Sequence, residues 1–175
     1  MESESRQLGV TAGGLPVALR AVAPEDEEFL LGVYASTRER ELAQAEWGAG
    51  EKELFLRWQF DLQRREYAAR FPDAEYDVIL VGGRPAGRVW VGADPGQIRL
   101  LDIAVLPEFQ NRGVGTLLLR ALMERARREG KPLRHMVFVL NDDAHRFYER
   151  LGFSVIEDFD AYKHMEWKPG VMSDE

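Results

Sequence analysis

The chain has 175 residues, 45 % of them hydrophobic, with a formal net charge of −7 and no cysteine. That length suits one domain able to bury roughly 70 % of the surface its unfolded chain exposes, without staples. Disulfides, cysteine-based zinc sites and thiol nucleophiles are excluded, and the acidic balance argues against a general nucleic-acid binder. No apolar run approaches the ~20 residues that span a bilayer. The start, Met1 to Leu8, is charged and Ser-rich without the apolar core of a secretory signal. A cytoplasmic protein without membrane or nucleic-acid partners is the expectation. His135, His145 and His164 are scattered without metal-ligand spacing, so no metal is expected.

In chain order, residues 1–14 read as a flexible leader closed by Gly13-Gly14, residues 15–170 as a single domain and residues 171–175 as a tail. Pro16 to Val22 alternates like a first strand. Pro24-Glu25-Asp26-Glu27 suits a helix's first turn, followed by Phe29, Leu30, Val33 and Tyr34 at helical spacing. A second helix follows Gly48 and Gly50, with Leu54, Phe55, Trp58, Leu62, Arg65 and Ala69 as its stripe. The period then changes. Tyr76 to Val81, Gly87 to Val91 and Ile98 to Val105, separated by Gly-Gly-Arg-Pro and Asp-Pro-Gly turns, predict an antiparallel meander. In the last run the apolar phase flips at Leu100-Leu101, which predicts either burial of both faces or a bulge. Leu117 to Ala126 is an amphipathic helix closed by Gly130 and Pro132, and Leu133 to Leu140 a strand. Asn141 or Asp142 caps a short helix with Ala144, Phe147, Tyr148 and Leu151 on its apolar face. Phe153 to Ile156 and Tyr162 to Trp167 close the chain as a strand pair.

The stretch between the meander and the amphipathic helix carries the chemistry. Residues 110–116 read Gln-Asn-Arg-Gly-Val-Gly-Thr. A glycine-rich turn opening a helix presents unpaired backbone N–H groups at the positive end of the helix dipole, a natural phosphate site. From Gln110 to Lys131 six basic residues face two acidic ones, so that window is +4 and the remainder −11. The distal arginines suit a solvated helix face, and Arg112 a ligand role. The P-loop pattern fails because Gly115 is followed by Thr116-Leu117 rather than Lys-Ser/Thr. The dinucleotide fingerprint fails because the loop comes late, after an antiparallel meander.

Ile103-Ala104-Val105-Leu106-Pro107 followed by Gln110-Asn111-Arg112-Gly113-Val114-Gly115 resembles the acyl-CoA motif of the GNAT superfamily of N-acyltransferases, Gln/Arg-x-x-Gly-x-Gly/Ala. Asn141 to Phe153, with Ala144, Phe147-Tyr148 and Gly152-Phe153, is similar to that family's closing motif. The similarity covers about residues 76–168. It implies an α/β (α+β) fold: a mixed, mostly antiparallel sheet of six or seven strands with a splayed central pair, flanked by about four helices. It also implies an acetyltransferase with acetyl-CoA as co-substrate and an amine as acceptor, and leaves room for a homodimer.

The resemblance assigns the pyrophosphate to the amides from Arg112 to Thr116, with Gln110 and Asn111 leading into the loop. Ile103, Ala104 and Val105 would pair with the pantetheine arm as an added strand. An amide after Ile103 or Val105 would polarise the thioester carbonyl. Asn141 would contact the arm. Tyr148 is the candidate catalytic side chain: a positioned phenol can protonate the departing thiolate. By periodicity alone it would merely pack beside Phe147. With no cysteine and no serine in a nucleophile elbow, transfer is expected to be direct, in a ternary complex. A non-catalytic acyl-CoA sensor is the rival reading. The general base stays open among Asp102, His135, His145 and a water chain. Acceptor choice is expected from the two N-terminal helices and the Glu157-to-Tyr162 loop. Trp47, Trp58, Tyr67 and Trp90 are either pocket or packing residues; Arg38, Glu39 and Arg40 face either the acceptor or solvent.

Overall fold

The computed structural model describes residues 4–170. Eight strands form one sheet in the order β1-β2-β3-β4-β5-β6-β8-β7. These are β1 (Arg6–Val10), β2 (Pro16–Ala21), β3 (Glu75–Val81), β4 (Arg84–Asp94), β5 (Gln97–Val105), β6 (Leu133–Phe138), β7 (Ser154–Phe159) and β8 (Tyr162–Trp167). Four helices join them: α1 (Glu27–Leu42), α2 (Glu51–Arg70), α3 (Val114–Glu129) and α4 (Asp142–Arg150). Every strand pairing is antiparallel except β5 with β6. The expected mixed sheet and four helices are present, with one strand more than six or seven.

The additional strand is β1, inside the segment expected to be a leader. It pairs with β2 through Arg6↔Leu19 to Val10↔Pro16, with a register shift between Gln7 and Gly9. Five residues, polar at the start and bulged, carry too little alternation to signal a strand. Backbone pairing with β2 and the packing of Leu8 on the core supply what the pattern lacks. The tail at residues 171–175 lies outside the described residues.

Two apolar clusters cover the sheet. α3 seats Leu118, Leu119, Leu122 and Ala126 with Val89, Val91, Ile98 and Leu100, and Tyr148 of α4 joins the same cluster. α1 and α2 build the other cluster from Leu30, Leu31, Tyr34, Leu56 and Phe60, with Tyr76 of β3 packed against it. The buried face of α2 is therefore not the expected stripe. Leu54, Trp58 and Leu62 are exposed, Trp58 by 60 %. Inward-facing α2 residues include Gln63 and Tyr67, whose polar ends find partners inside. A count of apolar residues misassigns such a face.

Of the two readings of the phase flip at Leu100-Leu101, the bulge is the one present. Leu100 pairs with Val91 and Asp102 with Trp90, leaving Leu101 as the extra residue. A bulge bends its strand and increases local twist. Beyond it β5 parts from β6: the two share only Ile98↔Leu133, Arg99↔Arg134 and Leu100↔His135. β5 then runs on with β4 to Val105, and β6 with β8 to Phe138. On the other edge β4 and β5 come so close that a Cβ at Gly87 would lie 2.1 Å from the Ala104 carbonyl oxygen. Only glycine fits there.

Candidate active site

The parting of β5 and β6 opens a cleft of about 1120 Å³. Its walls come from both faces of the sheet. Tyr34, Arg38 and Arg40 of α1 and Gln63, Tyr67 and Arg70 of α2 line one side. His135 of β6, with Asn141 and Tyr148 at α4, lines the other, and Arg99 to Ile103 of β5 runs between. Beyond Leu100 the β6-facing edge of β5 has no neighbouring strand. Unpaired edge amides and carbonyls are what an extended ligand can join.

Two side chains fix the branch point. Tyr67 Oη–H donates to the Leu101 carbonyl over 2.9 Å, satisfying the bulge. Burial, aided by nearby Asp102, pushes that phenol up to about 12, so it stays a donor. His135 lies 2.8 Å through Nδ1 from the Leu100 carbonyl. A carbonyl only accepts, so Nδ1 carries the proton and the neutral ring keeps a lone pair on Nε2. Burial pushes His135 down to about 4.

Tyr148 is 4 % exposed and packs between Phe147, Phe153 and the His135 ring, the last at 5.0 Å between centroids. Burial raises its hydroxyl pKa well above the ordinary phenol value, and Asp102 pushes the same way. It is protonated at neutral pH, as a proton donor must be. Packing beside Phe147 and lining the cleft are thus both true of this residue.

The glycine loop lies at the outer end of β5, beyond the cleft wall. Asn111 and Gly113 turn left-handed, at φ 61° and 83°. No side chain caps α3, whose first backbone bond is Leu117 N–H to Gly113 O at 3.1 Å. The amides of Val114, Gly115 and Thr116 therefore open from the positive end of the helix. A methyl group added at Gly113 would meet no other atom within 4 Å, so the loop's mouth is open. Gln110 Nε2–H ties the loop to β5 by donating to Val105 O at 2.8 Å. Ala12 N–H donates to Arg112 O at 3.3 Å, joining the loop to the β1–β2 turn.

Of the residues expected at the cofactor, Ile103, Asn141 and Tyr148 line the cleft, whereas Val105 and residues 110–116 continue outward from it. Ala104 and Val114 have buried side chains and can offer only backbone. Asn141 caps α4, its side-chain oxygen accepting from Ala144 N–H at 3.1 Å, which leaves its Nδ2 for a ligand. Among the aromatic acceptor candidates Tyr67 alone lines the cleft. Trp90 stacks on Tyr76 at 4.1 Å, Trp47 packs on Phe55, and Trp58 faces solvent. Arg38 and Arg40 do line it, without Glu39. Of the three base candidates named with a residue, Asp102 and His135 line the cleft and His145 does not.

Sequence reasoning missed Arg88. It is 1 % exposed, with its guanidinium 5.5 Å from the Tyr34 ring and 5.6 Å from Phe60. It donates to Gln63 at 2.9 Å and Tyr76 at 3.2 Å, and its Nε lies 2.7 Å from Asp102 Oδ2, off the hydrogen-bond axis. Asp102 keeps part of its surface open to the cleft. Burial raises its pKa, against the pull of Arg88. A charged residue inside the strand run Gly87 to Val91 was the available signal. The described residues hold no group of His, Cys, Asp and Glu fit for a metal ion. None of their helices is long and apolar enough to cross a membrane.

Comparisons with known proteins agree with this architecture. The chain is 32 % identical over 112 residues to the uncharacterized N-acetyltransferase MJ1207 of Methanocaldococcus jannaschii, a match covering 59 % of this chain and 47 % of that protein. It thus spans about half the length of that curated relative. The PaiA N-acetyltransferase of Thermoplasma acidophilum, solved in complex with coenzyme A, shares the fold at TM-score 0.67 and 19 % identity, over 87 % of this chain and 99 % of that one. An acetyltransferase from Thermus thermophilus superposes at TM-score 0.62 and 21 % identity, over 86 % and 94 %. The acetyltransferase (GNAT) family model matches residues 34–153, more than half of the chain, and the protein belongs to that family.

Proposed function

We propose that the protein transfers an acetyl group from acetyl-CoA to a primary amine by direct attack within a ternary complex. The observation that carries this reading is the position of Tyr148, protonated and buried at the point where β5 and β6 part, beside an unpaired strand edge. The amides of residues 112–116 hold the pyrophosphate, and the edge from Ile103 to Val105 pairs with the pantetheine arm, Asn141 Nδ2 contacting it from α4. The thioester carbonyl then lies at the bulge, with the amine approaching from the α1–α2 side.

Attack of the neutral amine forms the new C–N bond and breaks the C–S bond; the thiolate takes its proton from Tyr148 Oη, and the proton shed by the new amide nitrogen returns to Tyr148, restoring the phenol. The desolvation that makes this phenol a weaker acid also makes a buried thiolate a stronger base, so donor and acceptor stay matched. The ammonium form of the amine must first lose a proton. Asp102, a carboxylate lining the cleft beside the bulge, receives it, its pKa raised by burial and its side chain partly open.

Thiol release from acetyl-CoA, followed over a panel of amines, tests the reading. Tyr148→Phe should lower kcat by about 10²- to 10⁴-fold with little change in acetyl-CoA affinity. Gly113→Glu should abolish coenzyme A binding in a folded protein, because it forces a side chain into a left-handed position at the loop's mouth. Turnover undiminished in Tyr148→Phe removes the tyrosine from the mechanism. Tight acetyl-CoA binding with no turnover on any amine instead favours a non-catalytic sensor.

A further inference from the structure

The acceptor side of the cleft is basic in a protein that is acidic overall. Five arginines line the cleft against three carboxylates, Glu41, Asp102 and Glu157, while the whole chain carries −7. Two of the arginines are matched: Arg88 lies 2.7 Å from Asp102, and Arg38 lies 3.0 Å from Glu41. Arg40, Arg70 and Arg99 form no ion pair with another side chain among the described residues.

Among these three, Arg99 lies two residues before the bulge, with its Nε sealed from solvent and no acceptor for its proton. Burial and the nearby Arg70 and Arg134 all work against its charge. Asp94, a carboxylate that eases it, already accepts from Gly96 N–H at 2.8 Å and Gln97 Nε2 at 3.1 Å. A sealed, unpaired charged donor is costly unless a ligand completes it. A guanidinium fork fits a carboxylate or phosphate better than any other partner. The donor's pyrophosphate is not that partner. Its loop begins past Val105, six strand residues and roughly 20 Å from Arg99.

We propose that the amine acceptor carries an oxyanion, a carboxylate or a phosphate, that docks on Arg99 with Arg70 closing the site from the end of α2. The proposal rests on the acetyltransferase reading for the place of the amine, between this anion site and the bulge. It adds what the acceptor's other end must be.

The test compares acceptors of matched length with acetyl-CoA: 6-aminohexanoate, hexylamine and 1,6-diaminohexane, with O-phosphoethanolamine to separate phosphate from carboxylate. The anionic amines should have the higher kcat/KM. Arg99→Gln should reduce their advantage over hexylamine roughly 10- to 100-fold, mainly through KM. Arg99→Lys, which keeps charge without the fork, should fall between. Arg70→Gln, at an exposed helix end where folding is safe, should reduce the advantage less. A preference for the diamine, or an anionic preference unchanged in Arg99→Gln, overturns the proposal while leaving acetyl transfer intact. Should no amine be acetylated, the acetyltransferase reading fails, and calorimetric titration of 6-aminohexanoate and O-phosphoethanolamine still decides. Binding that is lost in Arg99→Gln supports the anion site; absence of binding to the wild type overturns it.

Discussion

His135 and Tyr148 meet where the two central strands separate, and each is held in one protonation state by its surroundings. The His135 ring donates from Nδ1 to Leu100 O and packs on Tyr148, and burial holds its pKa near about 4 against an ordinary value of 6.5. The folded protein therefore binds this proton less readily than the unfolded chain does. The resulting stability is fully present above pH 6.5, is lost as pH falls from 6.5 to about 4, and changes no further below that. The full shift corresponds to at most about 3–4 kcal/mol, an upper bound because the ring lines an open cleft. Urea midpoints measured from pH 8 to 4 should fall more steeply for the wild type than for His135→Gln. His164, also depressed by burial, contributes with the same sign in both proteins, so the difference between them isolates His135. Equal slopes would show that His135 does not titrate in this range.

Among the elements, α2 shows how a helix chooses its buried face. Phe60 is 2 % exposed and lies against Tyr34 at 5.7 Å, while Trp58 is on the opposite side in solvent. Phe60→Ala should cost about 3–5 kcal/mol and Trp58→Ala less than about 1 kcal/mol, read from chemical denaturation. The reverse order would mean that the expected stripe faces the core after all. The sequence supports both faces because Leu54, Trp58 and Leu62 are as apolar as Leu56 and Phe60. What decides is Arg88, a buried cation on β4 that needs Gln63 from α2 and the rings of Tyr34 and Phe60. Such a contact joins residues far apart in the chain and leaves no periodic trace. The strands of the meander, the bulge at Leu101 and helix α3 were legible because each is written in adjacent residues. So were the glycine loop and the Tyr148 segment. The arginine group lining the cleft was not, since α1, α2, β4 and β5 each contribute only one or two of its members.

At the scale of the molecule, the sheet is continuous at both ends and open in the middle. β1 to β5 form one antiparallel block and β6, β8 and β7 another, joined by three residue pairs between β5 and β6. The cleft between the blocks is lined from the α1–α2 face and from the α4 face together. A donor reaching in from the glycine loop and an acceptor reaching in from the arginine side would use separate doors. Neither substrate then has to wait for the other, and neither product has to leave first. Initial rates with both substrates varied should give intersecting lines, and each product should inhibit competitively against its own parent substrate. Parallel lines would point instead to an acylated enzyme between two half-reactions. On the proposed reading the three-pair seam would have a kinetic meaning: it would leave the order of arrival and departure free.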